Sequence, residues 1–150
     1  MPTTKTPKRR RPRSRVAVQR AVAAAPAAAL LRKYALAAIA PGSEVTLRVV
    51  GKAEGRLLNG GFRKRNYATN VLAFPYGRNR GDVVLCHPVI RREAKEQRKS
   101  LSAHYAHLVV HGILHLRGHD HLRKGEAQRM ERTEIRLLRR LGFGDPYTVK

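Results

Sequence analysis

A chain of 150 residues with one cysteine, Cys86, has the length of a single domain that can bury a core without staples, and it excludes a disulfide framework. Lys and Arg number 32 against 10 Asp and Glu, a formal charge of +22, so a polyanionic partner is expected and nucleic acid before any other. No stretch reaches the roughly 18 apolar residues of a spanning helix, so no membrane is expected.

Residues 1–15 hold seven basic side chains, three prolines and no acid. Such a segment cannot bury enough apolar surface to fold and reads as a disordered basic arm, with one domain over 16–150. The arginines before the apolar run Ala21 to Leu31 imitate a secretory signal. Against that, the run is mostly alanine, Pro26 interrupts it and Arg32-Lys33 closes it, so a cytoplasmic protein is expected. Val16-Ala17-Val18 can begin a strand, and Ala27 to Ala40 is rich in helix formers. Pro41-Gly42-Ser43 breaks that helix, and Val45, Leu47 and Val49 then alternate with polar residues as in a half-buried strand. A short helix is expected over Lys52 to Asn59, followed by a glycine-opened basic loop from Gly60 to Asn66. Thr69 to Phe74 reads as a strand confined by Pro75 to an edge or an end, and Asp82 to Cys86 as a second short strand. One long helix is expected over Glu93 to Leu116, entering the core in its second half. A last helix over Glu126 to Leu141 turns Met130, Leu137, Leu138 and Leu141 inward and stops at Gly142. Together these elements predict an α/β (α+β) fold, a small mixed sheet of about four strands packed by helices.

The chemistry gathers in His111-Gly112-Ile113-Leu114-His115-Leu116-Arg117-Gly118-His119-Asp120-His121. His111 and His115, four apart on a helix, share one face and can bind one ion together. Gly118 can end the helix in a left-handed conformation, letting the chain return His121 as third ligand. This is the metzincin spacing H-E-x-x-H-x-x-G-x-x-H, with Gly112 in place of the Glu that serves those proteases as general base. Three neutral imidazoles with a position left to water describe a catalytic zinc site, one ion per chain, on a central helix. Imidazole also suits nickel and copper. Asp120 can orient a ligand histidine or cap a helix.

These residues resemble the YbeY family of bacterial endoribonucleases. Its zinc signature, H-G-x-L-H-L-x-G-x-D-H, is met at every fixed position by His111 to His121. Upstream, Leu58-Asn59, Phe62-Arg63, Thr69-Asn70-Val71-Leu72 and Phe74-Pro75 match the family's L-N-x-x-[YF]-R…T-[ND]-V-L-S-F-P segment. Gly81-Asp82, Glu93-Ala94, Leu141-Gly142 and Asp145-Pro146-Tyr147 match as well. The sequence departs at Ala73 for Ser, Ala68 for Pro and Asn66 for Asp, and a carboxylate at 66 would have been placed to orient Arg63. The long basic arm is unusual for the family. The resemblance implies a compact α/β fold with His111, His115 and His121 as zinc ligands. It also implies cleavage of single-stranded RNA, maturation of the 3′ end of small-subunit rRNA on the ribosomal small subunit, and ribosome quality control.

Phosphodiester cleavage needs charge on non-bridging oxygens to be neutralised, which suits a guanidinium. Arg63 is the candidate matched by the resemblance, although it is also one of many arginines on a basic surface. Lys64 and Arg65 are expected at backbone phosphates. Two other readings stay open at the level of sequence. One is a zinc peptidase, which the spacing favours and Gly112 opposes. The other is a non-enzymatic RNA-binding ribosome-assembly factor whose zinc only holds the fold.

Overall fold

A computed structural model describes residues 13–63, 69–118 and 124–148. In chain order the elements are β1 (Arg15–Arg20), α1 (Ala28–Ala38), β2 (Glu44–Val50), α2 (Lys52–Arg63), β3 (Val71–Gly77), β4 (Arg80–Cys86), α3 (His87–Glu96), α4 (Leu101–Leu116) and α5 (Lys124–Arg140). The strands form one mixed sheet in the order β1-β2-β4-β3. β1 and β4 run parallel to β2, whereas β3 runs antiparallel to β4. This is the small α+β architecture that the alternating elements predict.

The alternation in β2 sorts its side chains between faces, with Val45, Leu47 and Val49 buried. They join Val83 and Leu85 of β4 in a core completed by Leu31 and Tyr34 of α1, much of α4, and Met130, Leu137 and Leu138 of α5. On the other face Val50, Leu72, Val84 and Cys86 pack with Val89 of α3 and Leu58 of α2. Pro75 lies in β3, which is an edge strand, as a residue without an N–H requires. Among the described residues no helix is long and apolar enough to cross a membrane.

α4 is apolar apart from one row of histidines because it lies against the sheet and between α1, α3 and α5. Ile113 and Leu114 are almost wholly buried, each stabilising the fold by about 1.5–3 kcal/mol. At Gly112 this helix approaches the sheet closely. A Cβ there would lie 2.7 Å from Val83 Cγ1 and 3.4 Å from Val71 Cγ2. The position therefore faces β4 and β3, and a side chain there fits only if its neighbours shift.

Four expectations need correction. The helix expected over Glu93 to Leu116 is two helices, α3 and α4, and α3 starts at His87. Arg98 takes a left-handed conformation, φ 55°, and Ser100 caps α4 by accepting a hydrogen bond from the Ala103 N–H at 3.0 Å. The basic loop expected from Gly60 is helical as far as Arg63. Glycine weakens a helix by about 1 kcal/mol per residue but does not block it; Lys64, Arg65 and Asn66 lie outside the described residues. The strand expected from Thr69 begins at Val71, because Asn70 folds its side chain onto the Val71 N–H at 2.7 Å. Of the arm expected over 1–15, residues 1–12 lie outside the described residues, and Arg15 already belongs to β1, its N–H donating to Ser43 O at 2.8 Å.

Gly112→Ala is expected to lose about 1–3 kcal/mol of stability through overpacking. Combining it with Val83→Ala should recover part of that loss, since the methyl then has a cavity to enter. A double-mutant cycle of denaturant melts checks this, and strict additivity would place the strain elsewhere.

Candidate metal centre

Four histidines of α4, His104, His107, His111 and His115, recur every three or four residues and so form one stripe along the helix. Their positions are fixed because the opposite faces of α4 are committed to the sheet and to α1. Opposite His107 and His111, α5 inserts Glu134, whose side chain is fully buried. His111 Nδ1 lies 2.6 Å from Glu134 Oε1, and His107 Nε2 lies 3.0 Å from Oε2. The Tyr147 hydroxyl also donates to Oε2. Three elements thus meet on one carboxylate.

Burial alone would push the Glu134 carboxyl up, but the hydrogen bonds from His107, His111 and Tyr147 outweigh it and hold the group at about 2. The same contact works in reverse on Tyr147, whose phenol is raised by burial and by the hydrogen bond to the carboxylate. An ionised carboxylate only accepts hydrogen bonds, so His111 Nδ1 must carry the proton that it shares with Glu134. In the neutral ring this leaves a lone pair on Nε2, the form in which imidazole binds a metal. That Nε2 lies 3.1 Å from His115 Nε2.

Two donor sets are therefore present, and they use opposite sides of His111. His107, His111 and Glu134 offer ligand atoms within 4.8 Å of one another. Both oxygens of Glu134 already accept hydrogen bonds, and its complete burial leaves no side open to water or substrate. The Nε2 atoms of His111 and His115 converge where His111 is 25 % exposed. An ion held by that pair keeps an open side, and the donor set there is of the kind that suits zinc.

The turn expected after this pair is in place, since Gly118 has φ 88° and its N–H donates to His115 O at 3.0 Å. His121, with His119 and Asp120, lies outside the described residues, as do Lys64 and Arg65. Arg63 is the last residue of α2, on the chain that runs toward β3. At the start of β3, Asn70 Nδ2 donates to Glu93 Oε1 at 3.0 Å, and His104 Nε2 lies 3.0 Å from the same oxygen. This partly buried group ties the far end of the segment that follows Arg63 to α3 and to α4. Burial holds the His104 imidazole below its ordinary range.

Sequence reasoning gave His104 and His107 no role and missed Glu134 and Tyr147. The signal for Glu134 was available. It shares an inward face with Met130, Leu137 and Leu138, and a lone acid among them needs a buried partner.

Residues 11–142 match the protein family described as endoribonuclease YbeY. A protein of Aromatoleum aromaticum named Endoribonuclease YbeY is 52 % identical over 138 residues, covering 87 % of this chain and 90 % of its own. One of the same name from Bordetella pertussis is 54 % identical over 127 residues, covering 77 % of this chain and 81 % of its own. The solution structure of a Thermotoga maritima protein superposes with a TM-score of 0.58 at 21 % identity, over 89 % of this chain and 99 % of its own, a likeness of fold.

Glu134→Gln, which keeps the shape but not the charge, is expected to weaken binding of zinc about 10–100-fold, as loss of a carboxylate behind a ligand histidine does. Chelator competition measures this directly. Wild-type affinity in the variant would separate Glu134 from the metal centre.

Proposed function

This chain belongs to the YbeY family of endoribonucleases, and from that premise we propose that it is a zinc-dependent, single-strand-specific endoribonuclease. Its substrate in this reading is rRNA on the small ribosomal subunit, where it matures the 3′ end and serves quality control in the cytoplasm. One zinc per chain is held by His111, His115 and His121. The observation that carries the reading is the pair of converging Nε2 atoms, with His111 held in its ligand tautomer by Glu134.

When bound, the ion supplies Lewis acidity toward a phosphoryl oxygen and a water of lowered pKa. Glu134 keeps the His111 ring turned and its Nδ1 protonated. Arg63 neutralises charge that develops on the non-bridging oxygens, and Lys64 and Arg65 hold neighbouring phosphates. The basic arm adds phosphate contacts that carry no sequence information. A peptidase reading needs a general base at position 112, and the close approach of Gly112 to Val83 admits one only if the neighbours shift.

His115→Ala is expected to lose the metal and some stability, whereas His107→Ala should keep one zinc per chain. Elemental analysis of both variants decides, and the opposite pattern would move the ion to the His107, His111 and Glu134 set. Arg63→Ala should keep its zinc and melting temperature yet lose most cleavage of a single-stranded RNA, with Arg63→Lys recovering little because a point charge does not copy a planar fork. Cleavage at the wild-type rate by the alanine variant would remove Arg63 from the chemistry.

A further inference from the structure

α5 has two faces of opposite character. Inward it carries Met130, Glu134, Leu137 and Leu138, the residues that seat it on α4 and the metal centre. Outward it carries Arg129, Arg132, Arg136, Arg139 and Arg140, all exposed. Their spacing of three or four residues lays them along one ridge, which at 1.5 Å per residue extends roughly 16 Å. Among the described residues no ion pair reaches any of the five. A ridge kept merely soluble would interleave acids, as α3 does where Arg92 faces Glu96 at 3.9 Å.

We propose that this ridge docks the phosphate backbone of a helical RNA segment that flanks the nucleotides entering the metal centre. The proposal rests on the reading of the protein as an endoribonuclease and adds a second contact surface to it. Three features of the ridge select this occupant. The arginines stand on opposite sides of α5 from Glu134, about one helix diameter, or roughly 10 Å, away from the chemistry. They therefore cannot serve the scissile phosphate, and only a more distant part of the same RNA reaches them. The ridge is straight and rigid, so it matches the regular phosphate row of a duplex better than it matches a single strand, which conforms to any basic surface. Guanidinium groups grip phosphate oxygens in pairs, and backbone contact of this kind reads shape without sequence. No apolar side chain interrupts the ridge, as membrane insertion would require.

The test compares two triple variants with the zinc-loaded wild-type protein. One is Arg132→Gln with Arg136→Gln and Arg139→Gln. The other removes the same charge from scattered exposed positions outside the arm, Lys33→Gln, Arg78→Gln and Lys95→Gln. Two RNAs are bound across a salt series, a short single strand and the same strand extended by a hairpin. Neutralising each phosphate contributes about 0.9 to the slope of log K against log salt on a duplex. With three contacts removed, the ridge variant should lose up to about 2.7 units of slope and about tenfold in affinity, on the hairpin RNA alone. Its zinc content, melting temperature and cleavage of the saturating short strand should stay as in the wild type. Equal losses in both triple variants would reduce the ridge to net charge and overturn the proposal. Unchanged binding of the hairpin RNA would do the same and leave a solvated helix face, and equal loss on both RNAs would make it a single-strand contact. Absence of cleavage by the wild-type protein would overturn the endoribonuclease reading instead, independently of where the RNA docks.

Discussion

A buried carboxylate holds this site together. Glu134 is an ion with no access to water, and removing such a group from solvent costs several kcal/mol. What offsets the cost is the count of donors around it, since a hydrogen bond to a charged group is worth about 1.5–3 kcal/mol and three converge here. The carboxylate is stable there because the donors act together. It thus links α4, α5 and the segment around Tyr147, and the rotamer of His111 is set by the same contacts that stabilise the fold. The orientation of His111 and the packing of α5 on α4 thus share an interaction, the Glu134 carboxylate.

α4 makes that sharing possible because its faces are divided. One side is buried against β3 and β4, as Gly112 requires by its close approach to Val83. The adjoining side is a row of imidazoles, each satisfied differently. His104 meets Glu93, His107 and His111 meet Glu134, and His115 meets His111. A helix that fits its core this tightly cannot rotate to seek a ligand, so the two Nε2 atoms stand converged on a rigid base. Geometry fixed before binding is what a catalytic ion needs.

Much of this was legible in the residues, for reasons that differ from place to place. The alternation of Val45, Leu47 and Val49, the Pro75 edge and the inward face of α5 are local signals that packing then obeyed. The spacing from His111 to Gly118 carried both the paired ligands and the turn, since each depends on helical geometry alone. The division between α3 and α4 was missed because the hydrophobic rhythm runs through it. Only the polar run from Lys95 to Ser100 betrays the break, and a left-handed Arg98 is not a signal that sequence announces. Tyr147 was invisible as a partner because its contact with Glu134 depends on tertiary placement, which no periodicity encodes.

Position 112 shows how packing can decide chemistry. In the sequence its glycine is an absence, the missing base of a peptidase motif. In the fold it is a close fit, because a methyl group there would lie 2.7 Å from Val83 Cγ1 and force the helix or the sheet to shift. Restoring a glutamate at 112 would push α4 away from Val83 and Val71 and carry His111 with it, so the base would arrive at the cost of the ligand geometry. Here the sheet holds the helix close, and a base for any hydrolysis at this centre must come from another position or from the substrate.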